Sequence, residues 1–231
     1  MNYRKIFILL LLILLSVSLQ AQYKPILLGL KASPNVAWLK PDAEGYSSEG
    51  ISPGFSWGLG AEFYFMENYA VLTGFDVRWL NGKLEMPYAM DMGNDTLPVF
   101  GTLNRKYKFK YIEVPLALKL KAELNEKLRF FGKVGLGTGF RLDTEAEDVF
   151  TYEGGTVDDS GDITEETKLL RHSLILGGGI EYVIKGSTAI ILDITYNDGF
   201  VNILNGGNPA NPSIDNKATL KFVELNVGIV F

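Results

Sequence analysis

The stretch VELNVGIVF, residues 223–231, decides how this sequence is interpreted, because its apolar residues recur at every second position. Glu224 and Asn226 occupy the alternate positions. Such alternation predicts a β-strand with one apolar face and one polar face. The fold then depends on which face meets the surroundings. The apolar set is Val223, Leu225, Val227, Ile229 and Phe231.

The other end of the chain indicates export from the cytoplasm. Arg4 and Lys5 precede an unbroken apolar run over residues 6–15, and a small-residue cleavage pattern ends at Ala21. We therefore predict that residues 1–21 are a cleaved signal peptide and that residues 22–231 form one domain. The apolar run is too short for a stable membrane-spanning helix.

Composition excludes several classes of protein. The formal net charge is −5, so the chain lacks the basic surface that nucleic-acid binding requires, and no nucleic-acid partner is expected. There is no cysteine, which excludes a lipid-anchored cysteine and a disulfide framework. After the predicted signal peptide, no apolar run is long enough for a helical span. If the mature chain crosses a membrane, it must do so as a β-barrel.

Alternation of period two occurs in eight segments, and the connections between them alternate between long and short. The segments are 26–38, 54–65, 70–80, 106–121, 128–142, 169–184, 188–200 and 218–231. The long connections are 39–53, 81–105, 143–168 and 201–217, and the short ones are 66–69, 122–127 and 185–187. We predict an all-β fold: an eight-stranded antiparallel up-and-down transmembrane β-barrel, with short periplasmic turns and long extracellular loops, in the bacterial outer membrane.

The two faces of each segment differ in a way that favours lipid outside the barrel. In segment 54–65, Phe55, Trp57 and Leu59 share one face, whereas Gly58 and Glu62 share the other. One face is therefore large and apolar, and the other is small with one or two charges. A soluble barrel would show the reverse arrangement, with charges in water. Eight strands enclose a lumen wide enough only for side chains.

Strand parity also predicts which charged side chains lie in the lumen. Both signs occur in similar numbers, so a structural network of ion pairs is expected, because an unpaired buried charge is costly. A proton or ion path is the alternative interpretation. The predicted interior charges are Lys31, Glu62, Asp76, Arg78, Glu113, Lys119, Lys133, Arg141, Glu181, Asp193 and Glu224.

The three tryptophans fall where an interfacial girdle is expected. Trp38, Trp57 and Trp79 all lie at the extracellular ends of their strands and on the apolar face. Tryptophan is enriched at membrane interfaces. We therefore predict that these residues form an aromatic girdle.

Several stretches of the sequence resemble a known family. The stretch YIEVPL at 111–116, the LQAQ cleavage region, GGGIEY at 177–182 and the terminal Phe231 together resemble the PorT-like outer-membrane β-barrels of Bacteroidota. The resemblance implies Phe231 as an assembly signal recognised by the barrel assembly machinery. It also implies a link to envelope or type IX secretion proteins.

Residues that carry chemistry are scarce. Adjacent residues of a strand point to opposite faces, so His172 and Ser173 cannot form a nucleophile and base pair. The acidic segment 143–168 does not fit the EF-hand calcium pattern, although loose cation bridging to lipopolysaccharide stays open. We predict no catalytic, cofactor or metal site. The function expected is a non-enzymatic structural or partner-binding barrel in contact with outer-membrane lipid and lipopolysaccharide. The alternatives are a small-solute or ion pore and a lipid-modifying enzyme.

Overall fold

The structure is a computed structural model that describes residues 26–91 and 97–231. The predicted signal peptide, residues 1–21, lies outside this part of the chain. Within these ranges the fold is all-β apart from one short 3₁₀ turn at Thr164–Glu166. No helix within the described ranges is long and apolar enough to cross a membrane.

Eight long strands form a closed antiparallel ring. Each strand pairs with its neighbours in sequence, and the first pairs with the last from Gly29↔Val230 to Pro41↔Ala218. Closure leaves no sheet edge at membrane depth, as a lipid environment requires. The strands are β1 Ile26–Pro41, β2 Ser52–Met66, β3 Tyr69–Met90, β4 Val99–Glu123, β5 Leu128–Tyr152, β6 Leu170–Lys185, β7 Thr188–Gly199 and β8 Ala218–Val230.

The predicted eight-stranded up-and-down barrel is confirmed, including its three short turns. Residues 67–68, 124–127 and 186–187 connect strands at the periplasmic end. In the second turn the Asn125 side-chain oxygen accepts the backbone N–H groups of Lys127 and Leu128, both at 2.9 Å. In the third, Gly186 adopts a positive φ of 59°, which suits glycine.

Two of the predicted long loops are mostly strand, so those predictions were wrong. β3 continues to Met90, β4 begins at Val99, and β5 continues to Tyr152 and turns into a further strand, Gly155–Asp162. The alternation in these extensions is reversed, because apolar residues such as Leu84 point inward and Lys83 and Glu85 point outward. Lipid-facing alternation therefore ends where this reversal begins.

We call this projecting part the extracellular sheet: residues 81–90, 99–110, 143–152 and Gly155–Asp162. It is the continuation of three barrel strands beyond the level of the tryptophans. The other barrel strands end lower on the molecule, and the short strand Ser47–Ser48 pairs with Leu84 and Glu85 on the β3 side of the sheet.

The outer surface of the ring is a continuous apolar belt. Every strand contributes at least one large side chain that is more than a third exposed, and the exposed fraction reaches 60% for Leu116 and Ile194. A soluble monomer rarely exposes so large a contiguous apolar surface. The belt therefore faces lipid hydrocarbon. One member from each strand is Leu30, Leu59, Phe75, Leu116, Leu136, Leu176, Ile194 and Val227.

The three tryptophans lie on the outside at the upper border of this belt. Trp57 and Trp79 are 40% and 38% exposed, and Trp38 is partly covered by a stacked Tyr196 with ring centroids 6.3 Å apart. The ammonium of Lys110 lies 5.7 Å from the Trp79 ring centroid. This aromatic and cationic combination suits the level of lipid headgroups.

The position of the belt predicts how the barrel responds to a charge on its outer face. Leu118→Arg places a cation near mid-membrane and should reduce the free energy of unfolding by about 2 to 4 kcal/mol. Val149→Arg is the matched control, because Val149 also points outward and is 40% exposed but lies in the extracellular sheet. Urea unfolding in lipid vesicles, followed by tryptophan fluorescence, measures both changes. Equal effects of the two substitutions would contradict the assigned belt.

Candidate functional site

The lumen contains a central ion-pair group around Arg78. Its guanidinium lies 2.6 Å from Asp76 and 3.2 Å from Glu113, and it also pairs with Glu224. Lys31 pairs with Asp76 at 2.9 Å. Four different strands contribute these residues, and all except Lys31 are buried. The group therefore ties opposite walls of the barrel together.

Two further charged residues, which were not among the predicted interior charges, also lie in the lumen. Arg171, fully buried, pairs with Glu113 at 2.6 Å, and Lys121 lies 3.9 Å from Glu181. Arg171 shares strand parity with Ser173 and Glu181, which could have identified it as an inward residue. It was overlooked because it lies at the end of its predicted strand.

A second ion-pair group lies nearer the periplasmic end. Lys119 pairs with Glu62 at 2.6 Å and also with Glu181. The Tyr64 hydroxyl donates to Glu62. The Lys119 ammonium also lies 4.5 Å from the Phe131 ring centroid. This cation is therefore enclosed by carboxylates and an aromatic ring.

A third group connects β5, β7 and β8. Lys133 pairs with Asp193 at 2.8 Å, and the Asn226 amide donates to Asp193 at 2.8 Å and to Thr195 at 3.0 Å. The Thr195 hydroxyl also donates to Asp193 at 2.6 Å. The carboxylate thus accepts three donors, which offsets the cost of burying it.

Taken together, the lumenal charges balance. Six cations, Lys31, Arg78, Lys119, Lys121, Lys133 and Arg171, face six anions, Glu62, Asp76, Glu113, Glu181, Asp193 and Glu224. A balanced set has little long-range preference for either sign of ion. The arrangement is that of a charge-balanced barrel interior.

Arg141 does not join these groups, and its assignment to the network is corrected. Its guanidinium donates to the backbone carbonyl oxygens of Thr164 and Thr167 and to the Thr167 hydroxyl at 2.8 Å. The register between β4 and β5 shifts beside it, because Lys110 pairs with Asp143 and Tyr111 pairs with Arg141, which leaves Leu142 as an extra residue of β5. Arg141 therefore secures the chain that returns from the extracellular sheet.

Glycines on the wall make room for the long charged side chains. A Cβ added at Gly137 would lie 2.9 Å from Glu113 Oε1, and one added at Gly177 would lie 2.8 Å from Lys133 Cε. At Gly58 it would overlap the Asp76 carboxylate. In contrast, Gly60 has space for a Cβ, whose nearest neighbour would be 3.9 Å away.

Above the charges the lumen is apolar, which strand parity alone does not predict. Phe222 marks the change, because the guanidinium carbons of Arg78 and Arg171 both lie 4.9 Å from its ring centroid. Ile203 and Leu204, from the predicted loop 201–217, fold back into this layer. The predicted polar lumen is therefore only the periplasmic part of the interior. The layer includes Leu39, Leu80, Leu84, Met86, Leu103, Tyr107, Phe109, Tyr111, Phe150, Leu220 and Phe222.

Two cavities lie on the periplasmic side of this apolar layer. One, of about 120 Å³, is lined by Gly60, Lys133, Asn197 and other lumenal residues. The other, of about 320 Å³, is lined by Tyr64, Lys121 and residues at the periplasmic mouth. The inner one has room for roughly four water molecules at about 30 Å³ each. Neither cavity is lined by a member of the apolar layer.

The extracellular sheet carries mixed charges on its outer face. Lys106 pairs with Glu147 at 2.8 Å, and Lys108 pairs with the same carboxylate. Hydrogen bonds from Lys106 and Lys108 lower the pKa of Glu147 to about 2. On the inner face, Arg105 pairs with Asp148 at 2.6 Å. The sheet is thus a folded, charged surface.

Neither a nucleophile and base pair nor a metal site is present at the positions considered. His172 Nδ1 lies 3.2 Å from Thr138 Oγ1 on the outer face, whereas Ser173 is buried in the lumen 3.4 Å from Arg171. The two side chains therefore lie on opposite sides of the wall. Within the described ranges, no three acidic or histidine side chains are grouped so that they could hold a metal ion.

Phe231 closes the ring at its periplasmic rim. Its backbone N–H donates to Leu28 at 2.9 Å and its carbonyl accepts from the Leu28 N–H at 3.1 Å, while its ring is 49% exposed. The terminal aromatic therefore sits at the seam where β1 and β8 meet.

The central group predicts a large effect of removing its main cation. Arg78→Ala leaves three buried carboxylates short of a partner and should reduce the free energy of unfolding by about 3 to 5 kcal/mol. Arg129→Ala is the control, because its pair with Glu123 at 3.0 Å is solvent-exposed and worth at most about 1 kcal/mol. Urea titration in vesicles compares the two. A loss at Arg78 no greater than that at Arg129 would refute a tightly coupled lumenal network.

Comparisons with known proteins agree with this architecture. A family model described as "Outer membrane protein beta-barrel domain" matches residues 20–205. Among solved structures, Neisserial surface protein A is similar with a TM-score of 0.50 at 12% identity, covering 90% of this chain and 96% of that one. OprG from Pseudomonas aeruginosa gives 0.45 at 14% identity, covering 89% and 94%. Ail of Yersinia pestis gives 0.37 at 15% identity, covering 89% and 99%. No curated protein matches the chain. Since the family model covers most of the sequence, the chain belongs to the outer membrane protein beta-barrel domain family.

Proposed function

We propose that this protein is a non-conducting outer-membrane barrel that holds the extracellular sheet above the membrane for recognition of a partner. The observation that carries the proposal is the two-layer filling of the lumen. Balanced ion pairs fill the periplasmic part, and an apolar layer with Phe222 at its base fills the extracellular part. Such an interior supports a scaffold better than a channel.

The extracellular sheet supports the second half of the proposal. Its strands are stabilised by a buried apolar inner face, including Leu103 and Phe150, and by the Arg105 and Asp148 ion pair. Recognition surfaces are commonly held in place by a rigid scaffold. A protein that needed only to fill the membrane would not require three strands to continue beyond it.

Three finer points belong to the same proposal. The sequence at 1–21 supports export through a cleaved signal peptide. The resemblance to PorT-like barrels supports an origin in Bacteroidota and a partner among envelope or type IX secretion proteins. The belt and the girdle, together with Lys110, support contact with outer-membrane lipid and lipopolysaccharide.

The two alternative functions receive less support. A small-solute or ion pore would need both the Arg78 group and the apolar layer to separate. A lipid-modifying enzyme of the serine and histidine type would need Ser173 and His172 on the same side of the barrel wall, where they do not lie.

The filled lumen predicts the electrical behaviour of the purified protein. Reconstituted into planar bilayers, the barrel should show no steady conductance, because eight strands enclose a narrow lumen and neither cavity extends into the apolar layer that fills its extracellular part. A large porin reconstituted at the same protein-to-lipid ratio serves as the positive control. Stable open channels from the parent protein would overturn the proposal and favour the pore.

A further inference from the structure

The strand Gly155–Asp162 forms a free edge of the extracellular sheet. It pairs along its whole length with β5, from Glu145↔Asp162 to Tyr152↔Gly155, and has no second neighbour among the strands that the structure describes. β6 pairs with β5 only up to Phe140↔Leu170, below this level. An edge strand of this kind exposes a row of backbone N–H and C=O groups.

The edge is accessible and regular. Seven of its eight residues are exposed, and Val157 is partly buried. The N–H of Ser160 donates to the side chain of its own neighbour Asp159 at 2.8 Å. The Asp159 carboxylate thus accepts a strand N–H. A backbone carbonyl of a neighbouring strand could replace the carboxylate as the acceptor.

The charges along this edge are of one sign. Asp158 and Asp162 lie opposite Val149 and Glu145, and Asp159 lies opposite Asp148. The strand itself has no basic residue. Pairing this edge with the same edge of a second copy would bring aspartates against aspartates, which disfavours self-association. A neighbouring strand with lysine or arginine would instead find carboxylates on both faces.

We infer that the edge Gly155–Asp162 binds an extended, basic segment of a partner protein by adding it to the extracellular sheet as a further strand. Backbone hydrogen bonds along the edge hold the segment, and its alternate basic side chains lie beside Asp158 and Asp162 on the outer face. This mode of recognition combines main-chain pairing with side-chain selection. The inference rests on the proposed role of the sheet in recognition and specifies the chemistry of the partner.

A probe peptide tests the inference directly. An eight-residue peptide of alternating lysine and valine, labelled with a fluorophore, should bind the full-length protein in nanodiscs, as measured by fluorescence anisotropy. The same peptide methylated at alternate backbone nitrogens keeps its charge but loses its edge donors. The methylated peptide should bind at least about tenfold more weakly than the unmethylated one. Equal binding of the two peptides would show charge attraction alone and would overturn strand addition.

Protein variants localise the binding. Asp158→Lys combined with Asp162→Lys should weaken binding of the unmethylated peptide by about tenfold or more, because two attractive cross-strand pairs become repulsive. Asp215→Lys changes an equally exposed acid in the separate strand Asn211–Asp215 and should leave binding unchanged. Equal weakening by Asp215→Lys, no binding of the parent, or dimerisation of the protein through this edge would each overturn the inference.

Conductance of the same nanodisc preparation, transferred to planar bilayers, separates this inference from the function on which it rests. If the barrels do not conduct and do not bind the peptide, the edge site is refuted and the proposed non-conducting scaffold stands. Peptide binding by barrels that conduct supports the edge site and refutes the closed scaffold.

Discussion

In lipid hydrocarbon, an unpaired backbone N–H or C=O group costs several kcal/mol, and the closure of the eight-stranded ring is what removes that cost here. The pairing of β1 with β8 is therefore the contact on which the rest of the molecule depends. Once the ring is closed, residues alternate between lipid and lumen. The outside must be apolar, and the inside must be filled by whatever the alternate positions provide.

The filling of the lumen shows how charge can be accommodated in a small barrel. The six cations and six anions are costly to bury, and apolar side chains of similar volume would often be as stable. They are tolerated because each carboxylate meets a cation or several donors and because glycines such as Gly137 leave space for them. The apolar layer above Phe222 then excludes water from the extracellular side. The filling of one narrow interior thus both supports the scaffold and closes the lumen.

Much of this architecture follows from strand parity alone. Alternation is local in the sequence, and it predicts the number of strands, the short turns and the outward tryptophans. It also predicts ten of the eleven charges that were assigned to the lumenal groups. The remaining residue, Arg141, keeps the inward parity of its strand, but its partners are carbonyl oxygens of Thr164 and Thr167, and their approach is a tertiary event that parity does not record. The extracellular sheet was missed because its alternation has the opposite polarity, as Leu84 and Lys83 show. The apolar layer was missed because Ile203 and Leu204 come from a connection whose return into the lumen is a tertiary event.

The central claim is that the lumen is closed to the outside of the cell, and the absence of native cysteine allows a direct test. Gly60→Cys places a thiol on the wall of the lumenal cavity, where space exists, and Val149→Cys places one on the extracellular sheet. A membrane-impermeant maleimide added to intact cells should label Val149→Cys and leave Gly60→Cys unlabelled until the protein is denatured. Rapid labelling of Gly60→Cys from outside would contradict the account, because it would require an open path through the apolar layer.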